Sequence, residues 1–471
     1  MSSTDYKEII DHLWHSFSAI RGLVDIKDAQ SYILGLLALK KLSDIDKDEV
    51  ADWSRIKSKS YDIGMTLNDT IRNIERKHPE LDGWFNGLDY DSDRFGDRQI
   101  RDKLLGDVVS YISAIDLKTL EKNDSQGLSD LCIQLNEMFL IRSSKDDSLE
   151  TPSTIIHLMA KLLETGTGYT IYDPFCKSGI TLIGATASAS AKSEDKKIEV
   201  FGQTNSPRSA LIAHLNLLLT GHRNAQIVVG DVIRQPGFAI GKSLMKFHKI
   251  LTTIAPMGYW RDEIARYDPY SRFVYGIPPK TMGDFGFLQH CIASLADEGM
   301  LVVAVPPSVL FKERSEGDIR RRMIEDDIIE AVIQLPPKMY TPYTSISFAL
   351  LVIRRNKPLR RKNKILFINA KDDFLPGRSR NILRDKDIDK IMSAYGEFSD
   401  RDGYCSVKSL DSIANKQFHL DVSEYVVEKP IWEMELDLEA AINELDEIHN
   451  TTATLYEGMQ SSLKKVIRYG E

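Results

Sequence analysis

Asp173-Pro174-Phe175-Cys176-Lys177-Ser178-Gly179-Ile180 is a stretch whose residue types and spacing could do chemistry. The apolar run Tyr169 to Asp173 leads into it, and an apolar segment of small residues, Ile180 to Ala187, leaves it. Strand, sharp turn and helix in that order present backbone to a small ligand at the carboxyl end of the first strand of a doubly wound sheet. Such a loop needs glycine, because backbone must approach the ligand and a positive φ costs glycine little. Here Lys177 and Ile180 flank the single glycine, Gly179. Neither a complete GxGxxG nor a GxxxxGK[ST] is present, which counts against a generic nucleotide-binding protein of this fold. A second feature is basic: Arg354 to Lys364, expected as a hairpin tip, carries seven cationic residues among eleven. It reads either as a solvated loop or as a phosphate-contacting edge, with Arg354, Arg355, Lys357, Arg360, Arg361 and Lys362 as candidate DNA-binding residues.

The elements that must position these residues follow from pattern. At the amino end Ile9, Ile10, Leu13, Trp14 and Phe17 recur at helical spacing, and Ile33, Leu34, Leu36, Leu37 and Leu39 continue it. Helices also fit Met65 to Arg76, Asp97 to Ile115 and Leu128 to Phe139, so residues 1–145 are expected to form a helical domain. Arg142 to Glu150 is a polar linker, after which Thr151 is expected to cap a helix with Pro152 in its first turn. Strands then alternate with helices: Tyr169 to Asp173, Ile198 to Gln203, Gln226 to Gly230, Lys249 to Ile254, Met300 to Val305, Ile328 to Gln334 and Phe348 to Ile353. Each is short and apolar, as burial on both faces of a parallel sheet requires. From Pro430 onward apolar or small residues at Leu438, Ala441, Leu445, Ile448, Thr452, Leu455, Met459, Ser462 and Val466 follow a 3-4 alternation. A helix with one such stripe needs a partner, either another chain or the amino-terminal helices.

Composition sets bounds on the rest. A chain of 471 residues exceeds one core of usual size, so two or three domains are expected. The net charge of −8 gives no global reason for nucleic-acid binding, so any DNA contact must come from local patches or a partner. Four cysteines lie far apart without a CxxC or Cys/His cluster, which argues against a metal site and a disulfide framework and for a reducing, cytoplasmic setting. No apolar run approaches the roughly 18 to 20 residues that would span a bilayer.

The loop at 173–180 resembles the cofactor loop of DNA adenine-N6 methyltransferases, specifically the modification subunit of type I restriction-modification systems, where it reads Asp-Pro-x-Cys-Gly-(Ser/Thr)-Gly-Gly. Further matches are Ile20-Arg21-Gly22, Leu34-Gly35-Leu36-Leu37-Ala38-Leu39-Lys40, Phe201-Gly202-Gln203, Gly230-Asp231, Asp284-Phe285-Gly286-Phe287-Leu288, Val309-Leu310-Phe311 and Gln334-Leu335-Pro336-Pro337. The resemblance implies an α/β fold: a class I (Rossmann-like) methyltransferase core over residues 146–425, with the amino-terminal helical domain before it. A long carboxyl-terminal helix for subunit assembly would occupy 426–471. It also implies S-adenosylmethionine, held at Asp173, Lys177, Gly179, Thr204 and Asp231. By the family pattern Thr204 stands where a carboxylate grips the ribose hydroxyls, and Asp231 is the retained adenine-side acid. The family's (Asn/Asp)-Pro-Pro-(Phe/Tyr), which accepts from the target amine and stacks on the flipped base, falls on Ile254-Ala255-Pro256-Met257. The family's aromatic before Thr151-Pro152 is missing as well.

Loop, ribose acid, amine acceptor and stacking ring are thus all altered. The expectation is a methyltransferase-family subunit of a type I-like DNA adenine-N6 methylation complex that does not bind the cofactor or turn over. It would serve DNA clamping and assembly beside a catalytic paralogue, a DNA-specificity subunit docked on the carboxyl-terminal helix, and double-stranded DNA. A restriction subunit is a further partner of the family. The alternative is an active site-specific DNA adenine-N6 methyltransferase, with weak cofactor binding and Tyr259 or Asp262 serving at the amine.

Overall fold

The computed structural model describes residues 3–20, 23–123, 127–140, 149–166, 168–189, 198–256, 260, 263–341 and 343–427, with scattered positions between 442 and 459. Helices Ser3–Ile20, Ile26–Asp44, Trp53–Lys57, Ile63–Lys77, Arg98–Ser113, Leu117–Asn123 and Gly127–Leu140 form most of the amino-terminal part. Their starts are set by carboxylates: Asp25 accepts from the Asp28 N–H at 2.9 Å and Asp97 from the Ile100 N–H at 3.0 Å. The start at Ile63 is capped from outside, by Asp102, whose two oxygens accept from the Asp62 and Ile63 N–H groups. Gly35 has a packing reason, since a Cβ there would lie 2.4 Å from the Tyr90 hydroxyl, which donates to the Tyr32 carbonyl.

Among the described residues eleven strands follow, β1 (Thr170–Asp173), β2 (Glu199–Thr204), β3 (Gln226–Val229), β4 (Ala239–Ile240), β5 (Ser243–Leu244), β6 (Phe247–Thr253), β7 (Leu295–Val305), β8 (Ile329–Gln334), β9 (Ala349–Arg354), β10 (Lys364–Asn369) and β11 (Cys405–Ser409). β4 and β5 pair only with each other, and the other nine form one sheet in the order β11-β10-β8-β9-β7-β6-β1-β2-β3. Only β9 and β11 run antiparallel to the rest. The chain goes outward from β1 to β3 and then returns to the other side of β1 at β6. A crevice therefore opens at the carboxyl ends of β1 and β6, where a sheet of this kind receives ligands.

Side chains alternate across the sheet into two apolar layers. Ile171, Leu251, Val302, Ile333 and Leu366 face one core, and Tyr172, Ile250, Leu301, Val332 and Phe367 face the other. The first core also contains Leu13, Phe17, Leu37 and Leu135 from the amino-terminal helices, so one apolar cluster runs through both parts. Residues 1–426 form one compact unit and residues 427–471 a second. In the second, the described positions between 442 and 459 are helical, and Ile442, Leu445, Tyr456 and Met459 are exposed. Leu438, Ala441, Ile448, Leu455, Ser462 and Val466 of the expected stripe lie outside the described residues. Among the described residues no helix is long and apolar enough to cross a membrane.

Two expectations are corrected. Thr151 does not cap the next helix, Ser153–Leu162; the Glu137 carboxylate accepts from the Ser153 N–H at 2.7 Å instead. The Thr151 hydroxyl, freed from that task, bonds the Thr253 hydroxyl at 2.7 Å, at the end of β6. Nor is 354–364 a hairpin, because β9 and β10 are not paired and β8 runs between them. The segment passes beneath the start of β8, where its cations find acidic partners.

Candidate functional site

A cavity of about 440 Å³ occupies the crevice at the carboxyl ends of the central strands. Each strand end contributes: Pro174, Phe175 and Lys177 after β1, Thr204 at the end of β2 with Asn205 and Ser206 after it, Gly230, Asp231 and Val232 after β3, and Thr253 at the end of β6 with Ile254 and Ala255 after it. Leu149, Ser209 and Phe287 complete the wall. The volume suits a small ligand.

Of the five expected cofactor positions, Lys177, Thr204 and Asp231 line this cavity, whereas Asp173 and Gly179 do not. Asp173 is buried and fully occupied inside the fold. One oxygen accepts from the Phe175 N–H at 2.9 Å and the Thr252 hydroxyl at 2.6 Å, and the other accepts from the Thr181 hydroxyl. Burial raises its pKa despite those bonds. Asp173 is thus a knot joining β1, β6 and helix Ile180–Ala189. Gly179 has φ +76°, and a Cβ on it would lie 3.1 Å from the Ala213 Cβ, so it admits the close approach of helix Pro207–Leu219. Ile180 is buried in the core.

Lys177 keeps the glycine's backbone. Its φ of +44° is left-handed, a conformation that costs a side-chain-bearing residue roughly 1 to 2 kcal/mol. Half-buried at the cavity wall, its ammonium makes no ion pair or hydrogen bond among the described residues. Burial pushes its pKa down, with Glu150 and Asp173 opposing. Lys177→Gly should accordingly unfold at the same or slightly higher denaturant concentration, a gain of up to about 1 kcal/mol. A clear loss of stability would show that the lysine is held by contacts other than these.

Thr204 is buried and neutral, with its hydroxyl accepting weakly from the Ser206 N–H at 3.4 Å. Asp231 is about half exposed, accepts from the Ile233 N–H at 2.9 Å and lies 3.4 Å from the Arg234 guanidinium. Ile254 is 2% exposed, its N–H donating to the Ala304 carbonyl at 2.9 Å, and it lines the cavity with an aliphatic side chain. Ala255 lines the cavity and Pro256 does not. Met257, Tyr259 and Asp262 lie outside the described residues. Trp260 is packed away from the cavity: its indole N–H donates to the Pro279 carbonyl at 2.8 Å and its ring lies against Gly286.

Two positioning residues give little signal in the sequence. Gln203, wholly buried at the end of β2, donates to the carbonyls of Gly230 and Gln235 and accepts from the Gly237 N–H. Arg272 donates to the carbonyls of Val232 and Ile233 at 3.2 and 2.7 Å and pairs with the buried Asp268 at 2.7 Å. Together they fix the loop that carries Asp231. Behind them, burial and the Arg272 charge lower the His290 pKa to about 3, so its ring stays neutral. Below about pH 6.5 the unfolded chain gains a proton here that the folded chain refuses. Stability present above that pH is therefore lost as pH falls, by about 2 kcal/mol from this group between pH 7 and pH 5. Denaturant unfolding at the two pH values measures it, and His290→Gln should lower the slope by about one proton. An unchanged slope would place the proton uptake elsewhere.

The basic candidates are largely committed inside the fold. Arg361 is buried on Glu330 at 2.7 Å and stacked near Tyr395, Lys357 is buried on Asp327 at 2.5 Å, and Arg354 pairs with Glu330 and Glu164. Arg355 donates to the Ile292 carbonyl and Arg360 to the Gly396 carbonyl from exposed positions, and Lys362 is exposed. Arg354 is registered opposite Met300, while Ala349 is opposite Val305. The segment therefore sits at the opposite end of the strands from the cavity, and does not flank it.

A family model described as N-6 DNA methylase matches residues 133–434. The chain is similar to the type I restriction enzyme MjaVIII methylase subunit of Methanocaldococcus jannaschii, with 28% identity over 94% of this chain and 76% of that protein. It is also similar to the type I restriction enzyme MpnII methylase subunit of Mycoplasma pneumoniae, with 24% identity over 82% of this chain and 74% of that one. Among solved structures, the type I restriction-modification methyltransferase subunit from Streptococcus thermophilus shares the fold. Its TM-score is 0.75 at 22% identity, over 89% of this chain and 99% of that one.

Proposed function

Because the chain belongs to the N-6 DNA methylase family, among the methyltransferase subunits of type I restriction-modification systems, we propose that it works in a type I-like DNA adenine-N6 methylation complex without transferring methyl groups itself. Its role is to hold DNA and to assemble with a catalytic paralogue and a specificity subunit, the latter on the helix of residues 426–471.

The observation that carries this reading is Ile254. The family's transfer needs a lone pair beside the target amine, to hold the base and orient its nitrogen. An aliphatic side chain at the end of β6 offers none, and it fills the wall there. The donor side agrees. S-adenosylmethionine brings an activated methyl on a positive sulfur, and the residues present do not fit it: Lys177 adds a cation and Thr204 lacks the ribose-gripping charge. A lost charged hydrogen bond is worth roughly 1.5 to 3 kcal/mol, about one to two decades of affinity. The second reading, an active enzyme, draws on Asp231, which remains exposed on the wall of an open cavity.

Methyl transfer to DNA should be measured with this chain and a specificity subunit alone, and again after adding a paralogue with an intact Asn-Pro-Pro-Phe. Turnover only in the second case is expected. Turnover in the first overturns the proposal.

A further inference from the structure

The cavity has stayed open while losing its fit for a cationic methyl donor, and its lining points to a different guest. Lys177 places an ammonium on the wall with no hydrogen bond or ion pair among the described residues. The acidic groups that act on this half-buried cation are Glu150, which accepts from the Ser178 hydroxyl at 3.0 Å, and Asp173, which is taken up by hydrogen bonds inside the fold; an incoming anion would engage the ammonium directly, since the charge has already given up part of its water. Among the described residues, the one carboxylate lining the cavity, Asp231, faces its own cation, Arg234, and two backbone N–H groups. Opposing charge on the wall is thus largely neutralised.

The remaining polar groups are of one kind. Thr204, Ser206 and Ser209 bring hydroxyls, and Ser206 opens the thirteen-residue helix Pro207–Leu219, whose amino end favours negative charge. The other surfaces are flat and apolar. Phe175 and Phe287 meet edge to face with centroids 4.9 Å apart, beside Val232 and Ile254. A charged anchor, hydroxyls and an apolar slot in about 440 Å³ describe a guest with an anionic group, a polar middle and a planar ring.

We propose that the cavity binds a nucleoside phosphate, with the Lys177 ammonium on the phosphate, the hydroxyls at Thr204 and Ser206 on the sugar side, and the Phe175–Phe287 wall against the base. This rests on the reading above that the chain does not use S-adenosylmethionine. No bond is made or broken. The bound nucleotide would occupy the crevice of the full chain.

Calorimetric titration of the full-length chain with adenosine 5′-monophosphate, adenosine triphosphate, inorganic phosphate and S-adenosylmethionine tests this, with Lys177→Gln and Lys177→Arg as variants and thermal unfolding as the check on folding. Expected is binding of both nucleotides that weakens with salt, falls about tenfold or more in Lys177→Gln and recovers in Lys177→Arg. Inorganic phosphate binding as tightly as the nucleotides would overturn the nucleoside part of the assignment. A folded chain that binds neither nucleotide, or binds them equally well as Lys177→Gln, overturns the inference and leaves the proposed non-catalytic role standing. Micromolar binding of S-adenosylmethionine to the unaltered chain would instead remove the reading on which this one rests, whatever the nucleotides do.

Discussion

Replacing Lys177 by glycine and Thr204 by glutamate in one chain is expected to tighten S-adenosylmethionine binding by about two to three orders of magnitude. Both positions line the cavity, and position 177 already has the backbone that glycine prefers. By the family pattern a glutamate at 204 would offer the ribose hydroxyls a charged acceptor, and a glycine at 177 would remove a cation from the wall that a positively charged cofactor meets. Each change contributes roughly one decade or more, and the sites are close enough that their effects need not add. Calorimetry on the single and double variants gives the comparison. Affinity that stays undetectable in a folded double variant would mean that the loss lies in the shape of the crevice and not in its charges. On the non-catalytic reading proposed above, methyl transfer is not expected to appear with these two changes alone, because Ile254 is aliphatic.

Arg272→Ala should cost about 3 to 5 kcal/mol in folding free energy, the usual consequence of leaving one member of a buried ion pair behind. Asp268 would remain 4% exposed at its side chain without its cation, and the carbonyls of Val232 and Ile233 would lose their donor. Arg272→Lys is not expected to rescue this, since an ammonium cannot reproduce the fork that reaches Asp268 and both carbonyls together. Denaturant unfolding measures the loss, and amide hydrogen exchange over residues 230–237 should quicken in whatever folded fraction remains. A cost below about 1 kcal/mol would show that this loop is held by Gln203 alone.

The strands were legible because a sheet covered on both faces demands continuous apolar runs, and β1, β2, β3, β6, β8 and β9 lie within a residue or two of those runs. The cavity was legible in part for a related reason: ligands collect at strand ends, so the residues following the runs at 173, 203 and 253 were natural candidates. What the runs could not carry is direction. An apolar run is the same read either way, so the antiparallel course of β9 was hidden, and with it the path of 354–364 beneath β8. The cations there looked available because their partners Asp327 and Glu330 stand some thirty positions earlier in the chain. Thr151 misled through a local rule, since a threonine before a helix usually caps it, and Glu137 from an earlier helix took that place. Gln203 and Arg272 act across 27 to 40 positions. Gln203 stood in the Phe201-Gly202-Gln203 match but gave no sign of the carbonyls it holds, and the one local trace of Arg272 was an aspartate four residues before it.

Gly179 admits its neighbouring helix and stands off the cavity wall, and Asp173 is saturated within the fold. The turn that shapes the crevice therefore keeps its contour whether or not a guest is present. Architecture and cargo are decoupled at this turn, so position 177, on the wall, can change without disturbing the bonds that hold Asp173 or the packing of Gly179.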